Sequence, residues 1–196
     1  MIPLKRLTIS VLLVASFLGA ITSCKRISNI NRADPSPVPA TGSAAPAPCS
    51  VPFNGDFVND TAGVLNDDSR NKLEQKLDLL KTVGKIDFAV VTVKTTGEQA
   101  IAEHSLALAR CWSIGNQNPD GSGMLMLLAV DDRKWHMQIS RSMEKVLSNE
   151  EIQDAGSQMT PLLRDRNYPV GIDKFVDATI NTIAARRKFS MPTTEQ

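Results

Sequence analysis

Met124-Leu125-Met126-Leu127-Leu128-Ala129-Val130, followed by Asp131-Asp132-Arg133 and then Lys134-Trp135-His136-Met137-Gln138-Ile139, decides the fold. The first seven residues are apolar at every position, the pattern of a strand buried on both faces and hence of the middle of a sheet. The three polar residues turn the chain tightly. Beyond them Trp135, Met137 and Ile139 alternate with Lys134, His136 and Gln138, so one face is apolar and the other polar. That alternation reads as an edge strand folded back antiparallel on the central one.

Upstream, Ile101, Leu108 and Trp112, with Ala102 and Ala109, form an apolar helical stripe that ends at Ile114-Gly115. Thr96-Gly97-Glu98-Gln99 fits a capping box at its start. Ile86 to Val93 (IDFAVVTV) is short, β-branched and bounded by Gly84-Lys85 and Thr95-Thr96-Gly97, which makes it a strand. Before it, Asn66-Asp67-Asp68-Ser69 caps a helix carrying Leu73, Leu77 and Leu80 until Val83-Gly84. Downstream, Ser148-Asn149-Glu150-Glu151 opens a third helix toward Leu163. A fourth, from about Val170 to Arg187, carries Ile172, Phe175, Val176, Thr179, Ile180 and Ile183 on one stripe. Strand, helix, strand implies a right-handed parallel β-α-β crossover, and the hairpin follows it. The expected fold is a small α/β protein, a three-layer α/β/α sandwich around a mixed sheet, with no internal repeat.

The 196 residues leave room for one such domain and its attachments. With 22 Lys+Arg against 21 Asp+Glu the net charge is +1, which gives no electrostatic ground for binding nucleic acid. Three cysteines and two histidines lie far apart, with no C-x-x-C or H-x-x-x-H pair, and this excludes a zinc, heme or Fe–S motif.

Lys5-Arg6, the apolar run Leu7 to Ala20 and Ile21-Thr22-Ser23-Cys24 follow the order of parts in a secretory leader. The run is shorter than the roughly 20 residues of a membrane-spanning helix. The small residues before Cys24 resemble the lipobox of bacterial lipoproteins, which implies removal of residues 1–23, diacylglycerol on the Cys24 thiol and anchoring to a membrane of the cell envelope. Lys25 after the cysteine implies the outer membrane, periplasmic face, in a Gram-negative cell. Residues 24–52 are then a tether: six of the eleven prolines fall between Ala33 and Pro52, a composition that extends rather than packs. The domain spans 53–188, and residues 189–196 form a tail. From Phe53 onward 17 Lys+Arg face 20 Asp+Glu, so the domain is mildly acidic.

Three stretches together resemble the TPM domain family, also called TPM phosphatases. They are Phe57-Val58-Asn59-Asp60-Thr61-Ala62-Gly63-Val64-Leu65; Cys111-Trp112-Ser113-Ile114-Gly115 through Asp120-Gly121-Ser122-Gly123 to Asp131-Asp132-Arg133-Lys134; and Asn167-Tyr168-Pro169-Val170-Gly171. The resemblance implies an exported, membrane-associated α/β domain, with phosphatase activity and divalent-cation binding among the associated properties. One departure stands out. Where members commonly carry a turn of the form G-x-G-L-E, this chain reads Ser140-Arg141-Ser142-Met143-Glu144, so a turn needing positive φ would be poorly filled.

Asp120 and Glu144 fall at one sheet edge by the hairpin geometry, and Asp87 starts its strand there too. With Asp60 from the preceding segment, Asp120 and Glu144 are the oxygen ligands expected for Ca²⁺ or Mg²⁺; as ordinary loop carboxylates, Asp120 would instead serve a Pro-Asp-Gly turn. Asp131 and Asp132 read as hairpin-turn residues. His104 and His136 read as surface residues, and Arg186-Arg187-Lys188 as a complement to a helix dipole. No G-x-S-x-G elbow, P-loop or C-x5-R loop is present. Cys49 and Cys111 form either a disulfide or a free tether thiol and a buried small hydrophobe. Two functions remain: a lipid-anchored module that engages another envelope protein, and a divalent-cation-dependent phosphatase.

Overall fold

The computed structural model describes Cys49–Pro192; the leader, Cys24, most of the tether and residues 193–196 lie outside the described residues. The chain runs β1 (Val58–Asp60), α1 (Asp67–Gly84), β2 (Asp87–Val93), α2 (Ile101–Cys111), β3 (Gly123–Ala129), β4 (Lys134–Ile139), a 3-10 turn (Met143–Lys145), α3 (Asn149–Arg164) and α4 (Tyr168–Arg187). Two helices start where capping chemistry requires. Asn66 accepts from the Ser69 amide, and Ser148 with Glu151 closes a reciprocal capping box. The expected box at Thr96 does not form. Ala100 is the N-cap of α2 without a side-chain bond; the Thr96 hydroxyl donates to the Gln99 carbonyl at 2.9 Å instead of accepting an amide, and the Thr96 amide donates to Asp132 at 2.9 Å. At the other end of α1 the left-handed cap is Lys85, at φ 55°, one residue beyond the glycine.

All four strands form one sheet in the order β1-β2-β3-β4. β1 is parallel to β2, β2 is parallel to β3 with Asp87 opposite Gly123, and β4 is antiparallel to β3 with Met126 opposite Met137. The fold is the expected α/β sandwich with one strand more than periodicity reveals. β1 has only three residues, too few to show an alternation, and it reaches the sheet as a parallel neighbour of β2.

Parity along β2 and β3 divides the core. Phe88 and Val90 of β2, with Met124, Met126 and Leu128 of β3, face α1, α3 and α4; Leu77, Ile152, Met159, Phe175, Val176 and Ile180 pack there. Ala89, Val91 and Val93, with Leu125, Leu127 and Ala129, face α2, where Leu108 and Trp112 cover them together with Val51. Both strands are therefore buried at every position, as a sheet covered on both sides requires. Trp135 of β4 packs edge-on to Phe175, ring centroids 5.4 Å apart, in the larger core.

Candidate functional site

The amino-terminal edge of β2 and β3 carries the densest polar arrangement. Arg187 reaches it from the last turn of α4: one nitrogen lies 3.1 Å from the Asp120 carboxylate, and the other donates to Ser122 Oγ at 2.7 Å and to Met143 Sδ at 3.3 Å. Asp120 also accepts the Ser122 amide at 3.1 Å. Hydrogen bonding from Ser122, with the Arg187 charge beside it, holds the Asp120 carboxyl below its ordinary range. Ser140 Oγ accepts the Gly123 amide at 3.1 Å and lies 2.9 Å from Ser142 Oγ, which is 3.4 Å from Ser122 Oγ. The turn that lost its glycines is thus filled, not strained. Neither Ser140 nor Ser142 takes a positive φ, Ser142 lies at φ −67°, and their hydroxyls knit the turn to the start of β3.

Beside this network Asp87 is buried at 7% exposure. One of its oxygens accepts the Gly115 amide at 2.9 Å, and the other lies 3.1 Å from Lys81 Nζ. Gly115 sits at φ 82°, where a Cβ would stand 2.8 Å from the Gly121 carbonyl oxygen and 2.9 Å from the Gly123 amide nitrogen. The spacing of Gly115 and Gly123 is therefore set by two backbones that cross in contact.

At the opposite, carboxyl end of the sheet, Asp60 closes β1. It accepts the Val64 and Leu65 amides at 3.1 and 2.8 Å and takes a very short bond from Thr92 Oγ1. Asp132 likewise takes the Thr96 amide and Thr95 Oγ1, the latter at 2.8 Å, and those bonds hold its carboxyl below the ordinary range. It bridges two loops instead of serving only its own turn.

The anticipated ligand set therefore divides. Asp120 and Glu144 lie at the amino-terminal edge, Glu144 exposed on the 3-10 turn. Asp60 pairs with Thr92, five residues along β2 from Asp87, or roughly 16 Å at strand spacing. Among the described residues no three His, Cys, Asp or Glu side chains form a group able to hold a metal ion. His104, expected at the surface, is buried between Gln99 at 2.9 Å and Ser50 at 3.1 Å, and burial lowers its pKa. Cys49 and Cys111 are bonded, with their Cα atoms 6.0 Å apart. A cavity of about 300 Å³ opens between α2, the start of β3 and the end of β4, lined by Leu106, Arg110, Ile114, Leu125, Gln138 and Ser140.

Sequence reasoning missed the reach of Arg187 and the role of the Ser122 hydroxyl. Arg187 meets the dipole criterion for a helix end, and nothing local marks its reach to a residue 65 positions earlier. Ser122 carries a signal only in hindsight, as the polar residue immediately before an all-apolar strand.

The profile of the TPM domain matches residues 58–182. The chain belongs to the TPM domain family. Solved structures share this fold. The N-terminal domain of a protein from P. gingivalis is 23% identical with a TM-score of 0.63, over 71% of this chain and 88% of that one. The N-terminal domain of the cg2496 protein from Corynebacterium glutamicum is 14% identical with a TM-score of 0.52, over 74% and 86%. The BA42 protein from Bizionia argentinensis is 11% identical with a TM-score of 0.55, over 67% and 88%. No curated protein matches the chain in sequence.

Proposed function

We propose that this TPM domain is a binding or assembly module of the bacterial cell envelope, held to the membrane by a lipid on Cys24 and engaging another envelope protein. The observation that carries the reading is the engagement of its carboxylates. Asp60, Asp87, Asp120 and Asp132 each accept hydrogen bonds that shape the fold, and they are divided between two ends of the sheet. A hydrolytic centre for phosphate esters would need converging carboxylates free to bind cation and substrate. The leader, the small residues before Cys24 and the proline-rich tether support an exported, anchored chain.

The test pairs two assays on the full chain. Hydrolysis of p-nitrophenyl phosphate is measured with Ca²⁺ or Mg²⁺ at about 5 mM, above the weak extracellular binding range, for the native protein and for Asp60→Asn, Asp120→Asn and Glu144→Gln. In parallel, fatty-acid labelling of cells compares the native chain with Cys24→Ala, and a photo-crosslinker at Gln138 traps whatever lies against the domain. The expected result is no cation-dependent hydrolysis, label lost in Cys24→Ala, and a discrete crosslinked envelope protein that disappears in the same variant. Hydrolysis abolished by the carboxylate variants supports the phosphatase alternative and overturns the proposal; label that persists in Cys24→Ala overturns the anchor.

A further inference from the structure

The five residues Cys49 to Phe53 lie against the α2 side of the domain as a strap. Val51 is buried at 5% exposure in the smaller core, and every other buried member of that core belongs to α2 and its cap, β2 or β3. The Val51 carbonyl accepts Trp112 Nε1 at 3.0 Å, and the Phe53 ring stands 5.2 Å from the Trp112 ring. Asn59 Nδ2 donates to the Pro52 carbonyl at 3.1 Å, and Ser50 Oγ meets His104 Nε2 at 3.1 Å. None of these contacts involves the larger core, which is complete without the strap. The covalent link sits at the strap's outer end: Cys49 is half-buried, and Cys111, in the last turn of α2, is exposed.

The geometry points to a redox latch: the Cys49–Cys111 bond holds the strap closed over the smaller core, and a dithiol reductant releases it. Attack comes from the exposed Cys111 side. A donor thiolate bonds to the Cys111 sulfur, and Cys49 leaves as a thiolate that takes up a proton. The donor's second thiolate then attacks its own bridging sulfur and releases Cys111. Two electrons pass from donor to protein; the donor ends as a disulfide and the protein as two thiols. With the bond open, the strap is held only by Val51, the Trp112 and Asn59 bonds, the Phe53 contact and Ser50. Its departure takes Val51 out of the smaller core and uncovers Trp112. The device acts on the domain itself and does not depend on which partner the domain engages.

Amide hydrogen exchange tests it in the full chain carrying Cys24→Ser, so that one disulfide alone can form. The native bond is opened by titration with dithiothreitol, and Cys49→Ser with Cys111→Ser gives the permanently open form. The Trp112 indole N–H, which donates to the Val51 carbonyl, should exchange at least about tenfold faster on opening, while the amides of Phe88–Val91 and Met124–Leu127 keep their protection, since local and global opening are separable by this measurement. Reoxidation should restore the slow rates. Unchanged exchange of the Trp112 indole after reduction would show that the non-covalent contacts suffice. Loss of protection throughout the sheet would show a staple for the whole fold. Either result overturns the latch.

Discussion

Replacing Gly156 by alanine should lower stability, although alanine in place of glycine inside a helix ordinarily raises it by about 1 kcal/mol. Gly156 lies in the interior of α3 with ordinary helical backbone, so the usual gain is available. Its new Cβ, however, would stand 2.5 Å from Cη2 and 3.1 Å from Cε2 of Trp135, and nearer still to Cζ2. The atoms it meets belong to a rigid ring packed against Phe175 in the larger core, not to the free end of a flexible side chain, so the clash is relieved only by moving the ring as a whole. Overpacking of this kind costs about 1–3 kcal/mol, and a clash with ring atoms belongs at the upper end. Subtracting the helix gain leaves a net loss of about 1–2 kcal/mol. For a domain of this size that is a fall in Tm of roughly 3–8 °C. The assay is thermal and urea unfolding of four proteins: native, Gly156→Ala, Trp135→Leu and the double variant. Removal of the ring should turn the alanine substitution neutral or stabilising, with a coupling of about 2 kcal/mol between the sites. A Tm that rises in Gly156→Ala, or an equal effect with and without Trp135, refutes the packing argument.

Asp60→Asn removes the charge that accepts two backbone amides and the Thr92 hydroxyl; it should cost about 1–2 kcal/mol, read as a lower urea midpoint, and the loss should be the same with and without Ca²⁺. Arg187→Lys keeps the charge but cannot reach Asp120, Ser122 and Met143 together, so a loss of about 1 kcal/mol is expected from the Ser122 hydroxyl, left with only its 3.4 Å contact to Ser142, and an unchanged midpoint would count against the network. Burial lowers the pKa of His104 and of His136. The unfolded chain therefore takes up protons from about pH 6.5 downward before the folded one does, and the stability present above that pH is lost as the pH falls through the folded values. Tm measured from pH 7.5 to 5 should decline in the native protein and flatten when His104→Gln and His136→Gln are combined; a parallel decline in that variant would assign the slope to other groups.

The parts of the fold legible in the sequence are those with length and period. An all-apolar run followed by a strict alternation fixed β3 and β4, caps with helical spacing placed α1 and α3, and an apolar stripe alone placed α4. β1 was hidden because Val58, Asn59 and Asp60 are too few for a period, and without β1 nothing placed Asp60. Its position at the carboxyl end of a parallel strand is what separates it from Asp120. The glycines at 115 and 123 were visible as motif members, but their reason, two backbones in contact, is a tertiary fact. His104 looked like a helix-surface residue because the strap that buries it comes from 54 positions away. Arg187 shows the same limit, since a long side chain at a helix end can act far from its own sequence neighbourhood.

The order β1-β2-β3 has a consequence for handedness. Both parallel crossovers step in the same direction across the sheet. If both had the right hand found in about 98% of such connections, α1 and α2 would cover the same face. They cover opposite faces, so one of the two has the rare left hand. The loops leaving β1 and β2 consequently diverge, one toward each face, and split the carboxyl edge between these strands. In doubly wound sheets such a split arises where the strand order reverses and is where ligands settle. Here it arises without any reversal, and the domain sews it shut with its own side chains: the Thr61 amide at 3.0 Å and hydroxyl at 2.5 Å on the Thr92 carbonyl, the Ala62 amide on Thr92 Oγ1 at 3.4 Å, and Asp60 beneath them. Asp60 and Thr92 thus seal a crevice that the winding of the chain would otherwise leave open.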